Sequence, residues 1–125
     1  VFTDLKTEIE ALLHVNAYPL IGPQTESEFV TIQLISDPPI VSGTIRTTLV
    51  AGRYQISFVS SHYSRTEDMD KTLWGVWQNI AQGFIGTYPV QYVERSGLSE
   101  SYDTADGGKY RRARDFIFYY PEGAS

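Results

Sequence analysis

Three arginines fall within four positions near the end of the sequence: Arg111, Arg112 and Arg114 in KYRRARDFIFYY (109–120). Guanidinium groups grip phosphates or carboxylates through paired N–H donors. A phosphate-binding role needs further positive charge, yet the chain carries a net charge of −5. Tight nucleic-acid binding is therefore not expected. The acidic counterpart is TEDMD, where Glu67, Asp68 and Asp70 cluster. It is a poor calcium loop, lacking the glycine at position six and the distal bidentate glutamate. Its acids suit the positive end of a helix dipole instead.

Other chemistry is sparse. His14 and His62 are the two histidines and have no HxH or HxxxH partner, so a zinc site is not expected. There is no Cys, no G-x-S-x-G elbow, no Walker loop and no G-x-G-x-x-G. SYDTADGG places acids before glycines and reads as a mobile acidic loop. The expectation is a protein without cofactor or metal that is not an enzyme.

The length of 125 residues predicts one domain over 1–125. Aromatic residues make up 14%, enough to supply interfaces as well as a core. No apolar run approaches the roughly 18 residues of a membrane span, and no signal-peptide pattern opens the sequence. The reading is a soluble protein made in a cytoplasm, with no membrane partner.

The elements that must position these residues follow from periodicity. TDLKTEIEALLHV predicts a helix with Leu5, Ile9, Leu12 and Leu13 on one face, Thr3 as N-cap and a stop before Pro19. NAYPLIGPQTES reads as a connector and EFVTIQLIS as a strand. After the prolines of DPPIVSG, TIRTTLVAGRYQISFVSSHY switches apolar parity at Gly52, predicting one long strand with a bulge there. SRTEDMDKTLWGVWQNIAQGFIG predicts a second helix with Met69, Leu73, Val76, Trp77, Ile80 and Phe84 on one stripe. Ser64 and Glu67 form its capping box, Gly83 and Gly86 end it, and Trp74 lies off the stripe. TYPVQYVERSG reads as a short strand, LSESYDTADGG as a flexible loop and KYRRARDFIFYY as the last strand. The predicted fold is α+β: an antiparallel four-stranded sheet with two helices packed on one face, in the order αββαββ.

On that last strand Phe116 and Phe118 share parity and are expected to pack under the helices. Arg112 and Arg114 share the same side, nearer the start, where the helices need not reach. Arg111 and Asp115 are four apart, about 13 Å by the strand rise, so each needs a partner on another strand or subunit. Glu67, Asp68 and Asp70 are the acidic partners expected on a neighbouring subunit.

The order of elements, with TDLKTEIEALL, GRYQISFVSSHYS leading into EDMDKTLWGVWQNI, and the close YDTADGGKYRRARDFIFYY, resembles the tail-terminator and tail-completion proteins of long-tailed bacteriophages. The likeness runs nearly end to end, although DPPIVSGTIRTTLVAG departs from it and leaves the role of 37–52 open. The resemblance implies a virion structural protein of the tail or neck, made in the host cytoplasm. Such proteins form a hexameric ring that ends tail-tube growth and offers a surface to the head. Implied partners are further copies, the tail-tube protein and a head-completion or connector protein, with DNA passing through without tight binding. Trp74, Tyr63, Tyr102 and the tyrosines of FIFYY would supply contact area beside Arg111, Arg112 and Arg114. One alternative is a head-completion or connector protein of the neck. Another is a small ligand-binding or enzyme domain with a pocket around His62, Asp115 and Arg114.

Overall fold

A computed structural model describes residues 2–19, 27–42, 45–81, 83–85, 88–103 and 108–121. Along the chain run α1 (Phe2–Leu13), β1 (Ala17–Pro19), β2 (Glu28–Ser36), β3 (Pro39–Ser42), β4 (Ile45–Ser60), α2 (Tyr63–Trp77), β5 (Gly83–Ile85), β6 (Tyr88–Val90), β7 (Tyr92–Asp103) and β8 (Lys109–Pro121). Five strands follow the order β1–β2–β4–β8–β7, and β3 is a sixth that pairs with β4. The β1–β2 pair is parallel and the others are antiparallel. β5 and β6 form a separate two-stranded sheet.

This overturns the predicted antiparallel four-stranded sheet in the order αββαββ. The connector hides β1, whose three residues are too short to show alternation. β3 pairs antiparallel with the start of β4, with Val41 opposite Arg46 and Ser42 opposite Ile45. Pro39 opens β3, a position where the missing N–H is tolerated. Within segment 37–52, residues 39–42 and 45–52 therefore belong to the sheet.

α1 buries Leu5, Ile9 and Leu13, with Leu12 packed at the margin. Thr3 lies inside the helix rather than capping it. The helix ends at His14, whose φ of 57° is left-handed; this backward turn is a common helix stop. Glu10 then fixes the exit, accepting from Lys6 Nζ at 2.9 Å and from the Ala17 N–H at 3.1 Å. Those two donors, Lys6 first, hold its carboxyl below the ordinary range.

α2 stops at Trp77, earlier than the apolar stripe predicts. The amides of Asn79 and Ile80 bond the carbonyls of Val76 and Trp77, three residues back, which tightens the last turn. Val76 and Phe84 are exposed, and Gly83 begins β5 instead of closing the helix. His62, not Ser64, is the N-cap, without a side-chain capping bond. Arg65 in the first turn donates to the Leu13 carbonyl at 3.0 Å and pairs with Glu28 at 3.3 Å. It joins the end of α1, the start of α2 and the start of β2.

The supposed loop after Gly97 is strand as far as Asp103. Residues 98–103 stay in register with β8, from Leu98 opposite Arg114 to Asp103 opposite Lys109. Of the rest of the predicted loop, 104–107 lie outside the described residues and Gly108 is described. β4 is one strand, as predicted, but carries no bulge at Gly52: its register with β8 runs unbroken from Leu49–Pro121 to Ser60–Tyr110. The register shifts of its other pairings lie in β2, between Leu34 and Ser36, and against β3, where Pro39 to Val41 span Val50 to Arg46. Gly52 is needed because the Tyr120 ring crosses it. A Cβ there would lie 2.5 Å from Tyr120 Cε1.

Both helices contribute to one core with the even-numbered face of β4 and β8. Trp77 stands edge-on to Phe116 and Phe118, with centroids at 5.1 and 5.2 Å. Its indole N–H donates to Glu8 at 3.0 Å, and burial pushes the Glu8 carboxyl up. Truncating Phe116 removes a ring with no exposed surface. Phe116→Ala should cost about 3 kcal/mol or more through the cavity left behind, read from chemical denaturation. Gly52→Ala should lower the melting temperature because it displaces Tyr120, and Gly52→Ala combined with Tyr120→Leu should recover part of the loss.

Candidate assembly interface

β8 continues as an alternating strand beyond its phenylalanines, so Arg112 and Arg114 face α2 as Phe116 and Phe118 do. α2 meets them with an acid on its core stripe. Thr66, Met69, Asp70, Leu73 and Trp77 are its buried residues. Asp70 is 1% exposed. Its Oδ2 accepts from Arg112 Nε at 2.8 Å and from Arg114 Nε at 3.2 Å. Arg112 Nη1 reaches Glu100 Oε2 on β7 at 2.8 Å, and Arg114 Nη1 reaches the Ser96 carbonyl at 3.2 Å. Burial opposes the Arg112 charge, but Asp70 and Glu100 outweigh it and hold the guanidinium above its ordinary value. Asp70 Oδ1 is buried without a hydrogen-bond partner among the described residues.

The helices do reach this end of the strand, so three of the predicted contact residues meet inside one chain. Arg112 and Arg114 are committed to Asp70, whose carboxylate faces no neighbour. Asp68 is exposed and Glu67 half-buried. Arg111 is exposed on the opposite face of the sheet. Asp115 shares that face and finds its partner on the next strand: Arg53 Nε donates to it at 2.9 Å. Trp74 is half-buried. Its ring lies 6.3 Å from Phe116, and the Arg95 guanidinium sits 5.0 Å over the ring.

Tyr102 is 52% exposed and packs on Tyr110 at 4.6 Å, which meets Tyr63 edge-on at 5.6 Å. Gly108, at φ 90°, passes beneath the Tyr102 hydroxyl where no Cβ fits. On the other face Tyr92 stacks on Tyr119 at 4.2 Å, and Glu94 accepts from the Tyr119 hydroxyl at 2.8 Å. Burial, then Glu94, pushes that hydroxyl well above its ordinary value. Glu100, Arg95, Glu94 and Arg53 were not singled out by sequence reasoning. Glu100 lies directly opposite Arg112 in the ladder, a relation visible only once β7 is known to continue past Gly97.

His62, Asp115 and Arg114 do not converge on a pocket. His62 caps α2, while Arg114 and Asp115 point to opposite faces of the sheet. One open depression, of about 310 Å³, is lined by Gly83, Phe84, Pro89, Val90, Gln91 and Pro121, without an ionisable group. Among the described residues no group of three or more His, Cys, Asp or Glu could hold a metal ion. Among the described residues no helix is long and apolar enough to cross a membrane.

A mixed sheet with both helices on one face and long antiparallel strands β4, β8 and β7 side by side defines the class of fold. That fold is shared with solved structures. One is a chain of the virion of a native gene transfer agent particle, with a TM-score of 0.61 at 10% identity, over 96% of this chain and 90% of that one. No family model matches the sequence, and no curated protein matches it.

The internal ion cluster makes its own forecast. Asp70→Ala leaves two largely covered guanidinium groups without their shared acceptor, and should cost about 3 kcal/mol or more. Replacing all three with apolar residues, Asp70→Leu with Arg112→Met and Arg114→Met, should recover most of that stability. Urea denaturation of the three proteins side by side checks both statements.

Proposed function

We propose that this protein is a virion structural component that works by assembly, forming a ring on the end of a tail tube. The observation that carries the reading is a fold shared, nearly end to end, with a chain of the gene transfer agent virion. The sequence resemblance to tail terminators points the same way and supplies the finer role: ending tube growth and offering a surface for head joining. Catalysis is no part of this role. The tyrosines left exposed at 63, 92 and 102 suit protein contact, since tyrosine combines a large rigid ring with a polar tip.

Partners under this reading are other copies, the tail-tube protein and a head-side connector. A closed ring requires head-to-tail contacts that return on themselves. Surfaces left for such contacts include Arg111, Asp68 and Tyr102, all exposed. DNA would pass through the ring without tight binding, in keeping with the net charge of −5.

Electron microscopy of the protein alone and mixed with purified tail tubes tests the proposal. The expected result is a closed ring, most simply six-fold, on the tube end, with tubes that no longer elongate. A single copy at the end, or no binding to tubes, would overturn it. A twelve-fold ring bound only on the head side would assign the protein to the neck instead.

A further inference from the structure

β7 is the last strand of the sheet, and among the described residues no strand pairs with its outer edge. It is 12 residues long and contains neither Lys nor Pro, two common protections of an open edge. Tyr92, Leu98 and Tyr102, three large apolar side chains left exposed, all lie on it. We propose that this edge pairs antiparallel with the same edge of a second copy, about a two-fold axis between Gly97 and Leu98.

A bulge in β7 sets the register of such a pair. β7 pairs Arg95 with Phe116 and Leu98 with Arg114, so one extra residue lies between them. That residue shifts the side-chain parity midway along the strand. Val93, Arg95, Leu98, Glu100 and Tyr102 therefore all lie on the helix face, opposite Phe118, Phe116, Arg114, Arg112 and Tyr110. Glu94, Ser99 and Ser101 lie on the other face, with Tyr92. Positions equally distant from the strand centre thus share a face. A regular strand paired about this axis would set unlike faces against each other, and the bulge removes that conflict.

The sequence is complementary in that register. Val93 falls opposite the partner copy's position 102, a tyrosine, and Arg95 opposite position 100, a glutamate, each pair occurring twice. Glu94 meets a serine, at position 101. Small residues, Ser96, Gly97 and Ser99, surround the axis, where two bulges must pass each other. Face matching allows shifts only in steps of two residues. One such shift sets Val93 against Glu100 and Arg95 against Leu98; the other sets Arg95 against Tyr102 and Leu98 against Ser99, which lie on opposite faces, and gives Glu100 no cation beyond its own Arg112. The unshifted register alone combines opposite charges with apolar neighbours. Both charges are exposed and already oriented, Arg95 over Trp74 and Glu100 by Arg112. An isologous contact of this kind is complete at two copies, so it covers the edge without seeding a fibre. It does not depend on the ring, and it claims Tyr102, one of the residues open to ring contacts.

Ultracentrifugation of the free protein should give a concentration-dependent mass rising to twice 14.1 kDa. The chain has no cysteine, so register can be read by disulfide trapping. Direct cross-strand neighbours have Cβ atoms about 4.5–5.5 Å apart, near disulfide reach. Within one copy positions 94 and 101 are roughly 23 Å apart by the strand rise. Glu94→Cys mixed with Ser101→Cys should cross-link several-fold faster than either variant alone, and faster than Glu94→Cys mixed with Ser99→Cys. Arg95→Glu should shift the protein toward monomer, with circular dichroism confirming that it remains folded. A monomer at every concentration, or equal trapping for all pairs, overturns the proposal. A ring on tail tubes built from a protein that stays monomeric and untrapped also sinks it, while leaving the assembly reading intact.

Discussion

The position of α2 on β8 fixes most of what surrounds it. The helix is held at two points. Trp77 sits on Phe116 and Phe118, and Asp70 sits between Arg112 and Arg114. Seven helical residues span about 10.5 Å, and four strand residues span about 13 Å. The two contacts therefore match in spacing, and they require helix and strand to run in the same general direction. A helix slid by one turn would lose both. A helix rotated about its axis would lose both as well, since residues seven apart lie within about 20° of each other on a helix.

The two contacts differ in kind. The aromatic one is insensitive to small errors in angle and supplies most of the buried apolar area. The ionic one adds little net stability, because a buried carboxylate and two guanidinium groups surrender hydration to meet. It discriminates instead: any packing that leaves Asp70 inside without both arginines strands a charge. β7 joins the same arrangement through Glu100 and the Ser96 carbonyl, which bind the outward ends of the two guanidinium groups. The ion cluster thus links the helix layer to the last strand of the sheet.

Much of this was legible in the sequence. The placement of Phe116 and Phe118 under a helix, with Arg112 and Arg114 on the same side, follows from period-2 parity alone. The apolar face of α1 follows from period 3.6. The sheet was misjudged where local signals are weakest. β1 is too brief to alternate, and β3 starts on a proline. The second half of β7 is polar because it is an edge strand, and its serines and glycine imitate a loop. The end of α2 was missed for the opposite reason: Ile80 and Phe84 keep the helical period although the chain has already turned. Among the predicted contact residues the error was one of destination. Arginines in register with an acidic helix start were assigned to a neighbour, since nothing local revealed that the helix lies over them.

That correction changes where an assembly surface has to be sought. The densest charges in the sequence, Asp70, Arg112 and Arg114, are consumed within the chain, and Arg53 with Asp115 is likewise paired. Among the described residues, what remains outward includes less conspicuous groups: Arg111, Asp68, three tyrosines and the long edge of β7. Charge clusters find partners in whichever chain offers them first, and a folded chain offers its own residues at the highest effective concentration. An open strand edge cannot be satisfied that way once the sheet ends. Its backbone donors and acceptors need water or another chain. In a small domain whose strongest charges are internally matched, the edge and its exposed rings are therefore the surface on which assembly has most to gain.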